Sequence, residues 1–164
     1  MLTNIITIPY RNREKHLNYF IKNTVPLVEK YLPNSKVVVV EQNKGKLFNR
    51  GLVLNIAANE YKDKTKYLIT HDVDINPTRL CLETYYAKNL PDNEVLGILN
   101  APGGQDAPII KYRIEDFFKI NGFPNNFWGW GGEDQALRTR REFYGIKKKS
   151  IFKNTNKSLK NEYF

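Results

Sequence analysis

Three short apolar runs recur at intervals of roughly 30 residues, the length a strand, a crossover helix and a second parallel strand need together. They are Ile5-Ile6-Thr7-Ile8, Val37-Val38-Val39-Val40 and Tyr67-Leu68-Ile69-Thr70. All three are rich in β-branched or aromatic residues, and Pro9 ends the first, as expected of strands. Between the first two, over Arg13–Tyr31, Leu17, Phe20, Ile21, Val28 and Tyr31 recur at roughly helical spacing, with a break or kink expected near Pro26. Between the second and third, Leu52, Leu54, Ile56 and Ala57 fit a short helix entered through Asn49-Arg50-Gly51. The uninterrupted valines of the second run predict a strand buried on both faces. Downstream, the pattern predicts a strand over Glu94–Leu99, a helix over Ile114–Ile120, a Gly/Asn/aromatic loop over Asn121–Gly132, a helix over Glu133–Tyr144 and a last strand over Ile146–Phe152. This order specifies an α/β domain with a mostly parallel central sheet. The domain is expected to span residues 1–152, followed by a polar, basic tail over 153–164.

Composition narrows the classes. The 164 residues hold 26 Lys+Arg against 17 Asp+Glu, a net charge of +9, which favours anionic partners. A single cysteine, Cys81, excludes an internal disulfide framework and a multi-cysteine zinc site. The apolar runs fall far short of the ~18–20 residues of a membrane span. Met1-Leu2-Thr3-Asn4 does not read as a signal peptide. The resulting expectation is a cytoplasmic protein with no membrane span.

Parallel sheets bind ligands beyond the carboxyl ends of their strands. Three segments meet that description: Pro9-Tyr10-Arg11-Asn12-Arg13, Glu41-Gln42 and His71-Asp72-Val73-Asp74. Arg11 and Arg13 offer forked donors that match phosphate oxygens. Asp72 and Asp74 are hard oxygen ligands suited to Mn²⁺ or Mg²⁺, or a polar turn after a buried strand. Phe48 and Arg50 can stack on a ring and pair with phosphate, or serve as core and ion-pair partner beside an Asn49 helix cap. Phe127-Trp128-Gly129-Trp130-Gly131-Gly132-Glu133-Asp134 joins both tryptophans and three glycines to an acidic pair at a helix start. Aromatic faces suit sugar rings, and the helix dipole holds a carboxylate there ionised and ready to act as a base. His71 is a candidate metal ligand by its neighbours. His16 reads as a helix-surface or packing residue, and Cys81 as a small core residue.

Together these motifs resemble the β-1,4-galactosyltransferase family, from Ile5 to about Arg140. The segments that carry the resemblance are Ile8-Pro9-Tyr10-Arg11-Asn12-Arg13, Phe48-Asn49-Arg50-Gly51, His71-Asp72-Val73-Asp74 and Asn121-Gly122-Phe123-Pro124 through Glu133-Asp134, in that order. The resemblance implies a GT-A, Rossmann-like fold and inverting transfer of galactose or a related hexose from a UDP-sugar donor to a glycan acceptor. It implies donor-nucleotide binding by Pro9, Arg11, Arg13, Phe48, Arg50 and Asp72, and sugar or acceptor binding by Trp130, Gly131, Gly132 and Glu133. Asp74 would hold a divalent metal, Mn²⁺ or else Mg²⁺, and Asp134 would be the catalytic base with Glu133 beside it.

Three departures stand out. No histidine follows His71, whereas the family uses a downstream one as a metal ligand. His71 or Asp72 is then the candidate to complete the set. Gln135 stands where the family often has a further Asp. Asn100-Ala101-Pro102-Gly103-Gly104-Gln105-Asp106-Ala107-Pro108 does not align with the donor-sugar segment. The family's animal members are Golgi proteins with a membrane anchor and stem, neither of which is read in this chain. Two other readings stand beside the transferase: a catalytically weak or inactive nucleotide-sugar-binding protein of the same fold, and a basic nucleic-acid-binding domain. The second is disfavoured because the aromatics cluster with acids, not lysines.

Overall fold

In the computed structural model of the protein, residues 1–100 and 106–153 are described. The chain runs β1 (Leu2–Tyr10), α1 (Glu14–Asn23), α2 (Val25–Tyr31), β2 (Ser35–Glu41), α3 (Arg50–Glu60), β3 (Thr65–His71), α4 (Arg79–Cys81) continuing as a π-helical turn (Leu82–Tyr86), β4 (Glu94–Asn100), β5 (Pro108–Arg113), α5 (Ile114–Lys119), α6 (Glu133–Phe143) and β6 (Lys147–Lys153). The described strands form one sheet in the order β2-β1-β3-β5-β4-β6. β1 pairs in parallel with β2 and β3, and β4 with β6. β5 is antiparallel to both neighbours, so five strands share one direction and β5 alone among them opposes it. The sheet is therefore mixed but mostly parallel.

Alternation along the strands divides the core into two layers. Ile6 and Ile8 of β1, and Tyr67 and Ile69 of β3, face Phe20, Val28, Leu82 and Tyr86 from α1, α2 and the α4 segment. Ile5 and Leu68 face the other way, against Leu54, Phe117, Phe123 and Leu137 of the α3, α5 and α6 side. Burying both faces is what makes the central strands read as unbroken apolar runs.

One expectation changes, one holds, and two elements are new. β2 is an edge strand paired only with β1, and its Val37–Val40 run is only partly buried, with Val39 38% exposed. The break expected near Pro26 falls at Thr24, between α1 and α2, where the Thr24 hydroxyl donates to Asn76 Oδ1 at 2.9 Å. Pro26 lies in the first turn of α2, where its missing N–H costs nothing. β5 and the helical segment over 79–86 were not anticipated. Residues 101–105, with the Gly103-Gly104 pair, and most of the basic tail, 154–164, lie outside the described residues. No helix among the described residues is long and apolar enough to cross a membrane.

β5 carries an unusual core residue. Lys111 is fully buried, donates from Nζ to the Tyr86 carbonyl at 2.6 Å and lies 4.2 Å from the Tyr67 ring centre. It thereby ties the end of the π-helical turn to the sheet. Burial, reinforced by Lys66, pushes its pKa down to about 7, whereas an unfolded lysine titrates near 10.4. Between these values the unfolded chain binds a proton that the folded chain releases, so this group's contribution to stability rises with pH. Guanidinium melts should show wild type gaining on Lys111→Met by on the order of a few kcal/mol from pH 7 to pH 10. A difference that stays constant over that range would exclude Lys111 as the titrating group.

Candidate active site

Because β1, β2 and β3 run in parallel, their carboxyl ends open on one edge of the sheet. The reversed β5 starts at the same edge. A cavity of about 780 Å³ lies there. Pro9, Arg11, Asn12 and Arg13 enter it from the end of β1, Leu47, Phe48 and Arg50 from the approach to α3, and Asp72-Val73-Asp74 from the end of β3. Ala107 and Pro108 come from the start of β5, and Gly129 through Gln135 from the loop into α6. Every residue that the resemblance assigns to donor, sugar, metal or base lines this cavity, whereas His71 and Glu41-Gln42 do not.

The loop before α3 is held by side-chain amides. Asn49 is buried; its Oδ1 accepts from the Leu52 N–H at 2.9 Å and its Nδ2 donates to the Asn125 carbonyl at 2.8 Å. Gln42 receives the Asn49 N–H at 2.7 Å and donates to the Leu47 carbonyl at 3.0 Å. Gln42 therefore shapes the loop, and neither it nor Glu41 lines the cavity. The Gly129 N–H donates to the Phe48 carbonyl at 2.8 Å, tying this loop to the tryptophan segment. Arg11 lies over Phe48, 5.4 Å from its ring centre, and donates to the Lys46 carbonyl at 2.6 Å.

Arg50 is the electrostatic centre. Its Nε donates to Asp72 at 3.0 Å and its Nη1 to Asp134 at 2.9 Å. Burial opposes its charge, but Asp72, Asp134 and Glu133 outweigh burial and raise its pKa, so it stays charged. Arg13, at the start of α1, pairs with Asp74 at 2.9 Å in a more exposed position. Asp134 departs from expectation. Burial raises its pKa to about 6, against the opposing pull of Arg50 and with help from Glu133 and Asp72. Its place at the helix start does not keep it in the ordinary carboxylate range.

Gly129, Gly131 and Gly132 all have φ near +95°, at 96°, 94° and 92°, a region other residues adopt with strain. A Cβ at Gly132 would meet the Phe127 ring at 2.5 Å. This backbone carries Trp130 fully into solvent at the cavity rim, while Lys46 lies over Trp128, 5.1 Å from its ring centre.

The metal candidates separate. His71 is buried and edge-on to Phe20, with Nδ1 2.8 Å from the Asp72 carbonyl. Burial lowers its pKa to about 4. A carbonyl only accepts, so Nδ1 carries the proton. His71 lines no part of the cavity, and the expectation that it substitutes for a missing ligand is withdrawn. Among the described residues no group of three or more His, Cys, Asp or Glu side chains is placed to hold a metal ion. Asp72 and Asp74 still supply hard oxygen chemistry. The cavity sets three arginines against four carboxylates, Asp72, Asp74, Glu133 and Asp134, leaving one negative charge in excess. Two carboxylates completed by substrate phosphates and water are a recurrent arrangement for a hard divalent cation, so the residues fit one in that form.

Sequence reasoning missed Ala107 and Pro108 because it missed β5. The available signal was a proline immediately before an Ile-Ile pair, since proline is tolerated as the first residue of a strand.

Comparison with known proteins decides the family. Residues 2–82 match the model described as the N-terminal region of glycosyl transferase group 7, and residues 108–161 match the N-terminal domain of galactosyltransferase. The human β-1,4-galactosyltransferase 4 is 37% identical over 87% of this chain and 43% of its own length. The bovine β-1,4-galactosyltransferase 1 is 31% identical over 86% of this chain and 37% of its own. The chain belongs to the β-1,4-galactosyltransferase family. A solved catalytic domain of Drosophila β-1,4-galactosyltransferase 7, in complex with xylobiose, superposes with a TM-score of 0.81 at 25% identity, over 95% of this chain and 68% of that one. The fold is GT-A, as expected. The chain thus spans less than half the length of these curated relatives. The expected cytoplasmic location is overturned. It rested on reading no leader or anchor in a stretch of that length, and the relatives belong to a Golgi membrane-anchored group of enzymes.

Replacing Arg50 with methionine leaves Asp72 and Asp134 facing each other without their cation. Arg50→Met should cost about 3 kcal/mol of stability at pH 8. The cost should shrink at pH 5, where Asp134 takes up a proton. Denaturant melts at the two pH values check both statements.

Proposed function

We propose that this chain carries the donor-binding core of a glycosyltransferase that moves galactose or a related hexose from a UDP-sugar to a hydroxyl of an acceptor sugar, with inversion at the anomeric carbon. One observation carries the reading: all four family-like motifs line a single cavity, and Asp134 stands in it as a largely buried carboxylate paired with Arg50. Membership of the family supports the reaction class. A second Drosophila β-1,4-galactosyltransferase 7 structure, solved with manganese, UDP-Gal and xylobiose, supports the ligand classes.

Pro9, Phe48 and Arg11 form the uridine end, with the Phe48 ring backed by the Arg11 guanidinium. Arg11, Arg13 and Arg50 supply forked donors to the diphosphate, and Asp72 faces the donor beside them. Trp130 offers an aromatic platform to a sugar ring, while Gly131 and Gly132 let the backbone approach it and Glu133 receives its hydroxyls. Asp134 accepts the proton of the acceptor hydroxyl as that oxygen bonds to the anomeric carbon. The bond from that carbon to the diphosphate breaks, and its electron pair leaves with UDP. A carboxylate with pKa about 6 is a stronger base than an ordinary one and is still ionised above neutrality. A divalent cation, Mn²⁺ or else Mg²⁺, would be held by Asp74 with Asp72 beside it. Its charge would stabilise the departing diphosphate.

The test is release of UDP from UDP-galactose in Mn²⁺ buffer, across sugar acceptors that include xylobiose. Asp134→Asn should lower turnover at least about 100-fold while UDP affinity by calorimetry changes less than about twofold. Undiminished turnover in this variant would remove Asp134 as the base. UDP binding without release in the unaltered protein would favour a non-catalytic nucleotide-sugar binder. In active protein, kcat/KM should climb about tenfold per pH unit below pH 6 and level off above it, as Asp134 of the free protein loses its proton. A flat acid limb would assign the proton transfer to another group.

A further inference from the structure

Helix α6 presents Glu133 and Asp134 to the cavity, yet its inward stripe is almost without apolar surface. Its buried residues are Glu133, Leu137 and Arg141, one leucine between two charged side chains. A helix docked on a core ordinarily turns three or four apolar residues inward every two turns. Here an ionic junction takes their place. Arg141 donates from Nε to Asp106 Oδ2 at 2.9 Å and from Nη1 to the Ile146 carbonyl at 2.8 Å. Lys148 of β6 donates to the other oxygen, Oδ1, at 2.9 Å, and the Tyr112 hydroxyl reaches Oδ2 at 3.5 Å. Asp106 is completely buried and Arg141 nearly so.

Stability alone does not explain such a junction, since apolar side chains of the same volume often serve a fold as well or better. What it supplies is direction, because charge-assisted hydrogen bonds to a fork fix distance and angle together. Asp106 is also bonded through the chain to Ala107, which with Pro108 forms a wall of the cavity. One carboxylate therefore fixes that wall, α6 and β6 against one another. The loop on the other side of α6 is poorly suited to the task, with three glycines at positive φ.

We propose that Asp106 is a positioning residue for the reaction: through Arg141 it sets where α6 holds Asp134 relative to the Ala107-Pro108 wall. The inference rests on the reading of Asp134 as the base.

Asp106→Asn keeps the size and removes the charge; Arg141→Lys keeps the charge and loses the fork. Phe20→Leu, on the opposite face of the sheet, controls for a general loss of stability. In Asp106→Asn, kcat with UDP-galactose should fall at least about tenfold. UDP affinity should stay within about twofold, because Arg11, Phe48 and Asp74 make no contact with the junction. Backbone hydrogen exchange should quicken in residues 133–143 and not in β1 or β3. Arg141→Lys should recover part of kcat, and Phe20→Leu should leave kcat unchanged. Unchanged kcat in Asp106→Asn, or loss of kcat and UDP affinity together, overturns the proposal. So does a matching loss of kcat in Phe20→Leu. If Asp106→Asn fails to fold, Lys148→Met, which removes the other cation on Asp106, carries the same expectations. If no acceptor supports turnover, unaltered exchange in α6 overturns the proposal. Asp134→Asn separates the two ideas. Full turnover there sinks the base, whereas an inactive Asp134→Asn beside a fully active Asp106→Asn sinks only the positioning role.

Discussion

The guanidinium of Arg50 makes the rest of this cavity possible. Asp72 comes from the end of β3 and Asp134 from the start of α6, and two carboxylates brought together away from water repel one another. Arg50 stands between them, bonded to both. Its own position is inherited from Asn49, which caps α3 and reaches across to the Asn125 carbonyl. A short chain of polar contacts thus runs from a helix cap, through one arginine, to two carboxylates of the cavity. Apolar packing supplies the platform, but the relative placement of these charged groups is electrostatic.

What the sequence reveals and what it hides follow from the range of the forces involved. The central strands are legible because burial on both faces writes itself into consecutive residues such as Ile5, Ile6 and Ile8. β2 carries the same signature without the same burial, since a valine run reports β-preference whether or not a neighbour covers it. β5 is hidden because its short Ile109-Ile110 core leads into Lys111, Tyr112 and Arg113, and a lysine at the centre of a strand speaks against burial. Tertiary partners, Tyr67 and the Tyr86 carbonyl, reverse that local preference. The site follows the same rule. The chemistry of Arg11, Asp74, Trp130 and Asp134 is written in residue types at the ends of elements. The pairing of Arg50 with Asp134, 84 positions away, is a property of the fold. His71 shows the converse. Its sequence neighbours are acidic, but the odd-even alternation of β3 turns its ring into the core beside Phe20.

Net charge is likewise a poor guide to the local field. The chain carries +9 overall, yet the cavity lining is acidic by one charge. The positive excess therefore lies on other surfaces. Long-range attraction can bring an anion toward the molecule, and within the cavity the positive charge is confined to Arg11, Arg13 and Arg50.

The reversal of β5 bears on how the site could be redesigned. A strand that ends at a binding edge passes its register on to every residue that follows it into the site. A strand that begins there imposes no such tie on the chain before it. Asp106 supplies that tie instead: buried just before β5, it holds the approach to the strand against α6 through Arg141 and against β6 through Lys148. A redesign of the Ala107-Pro108 wall would therefore have to keep the carboxylate at position 106 and work around it.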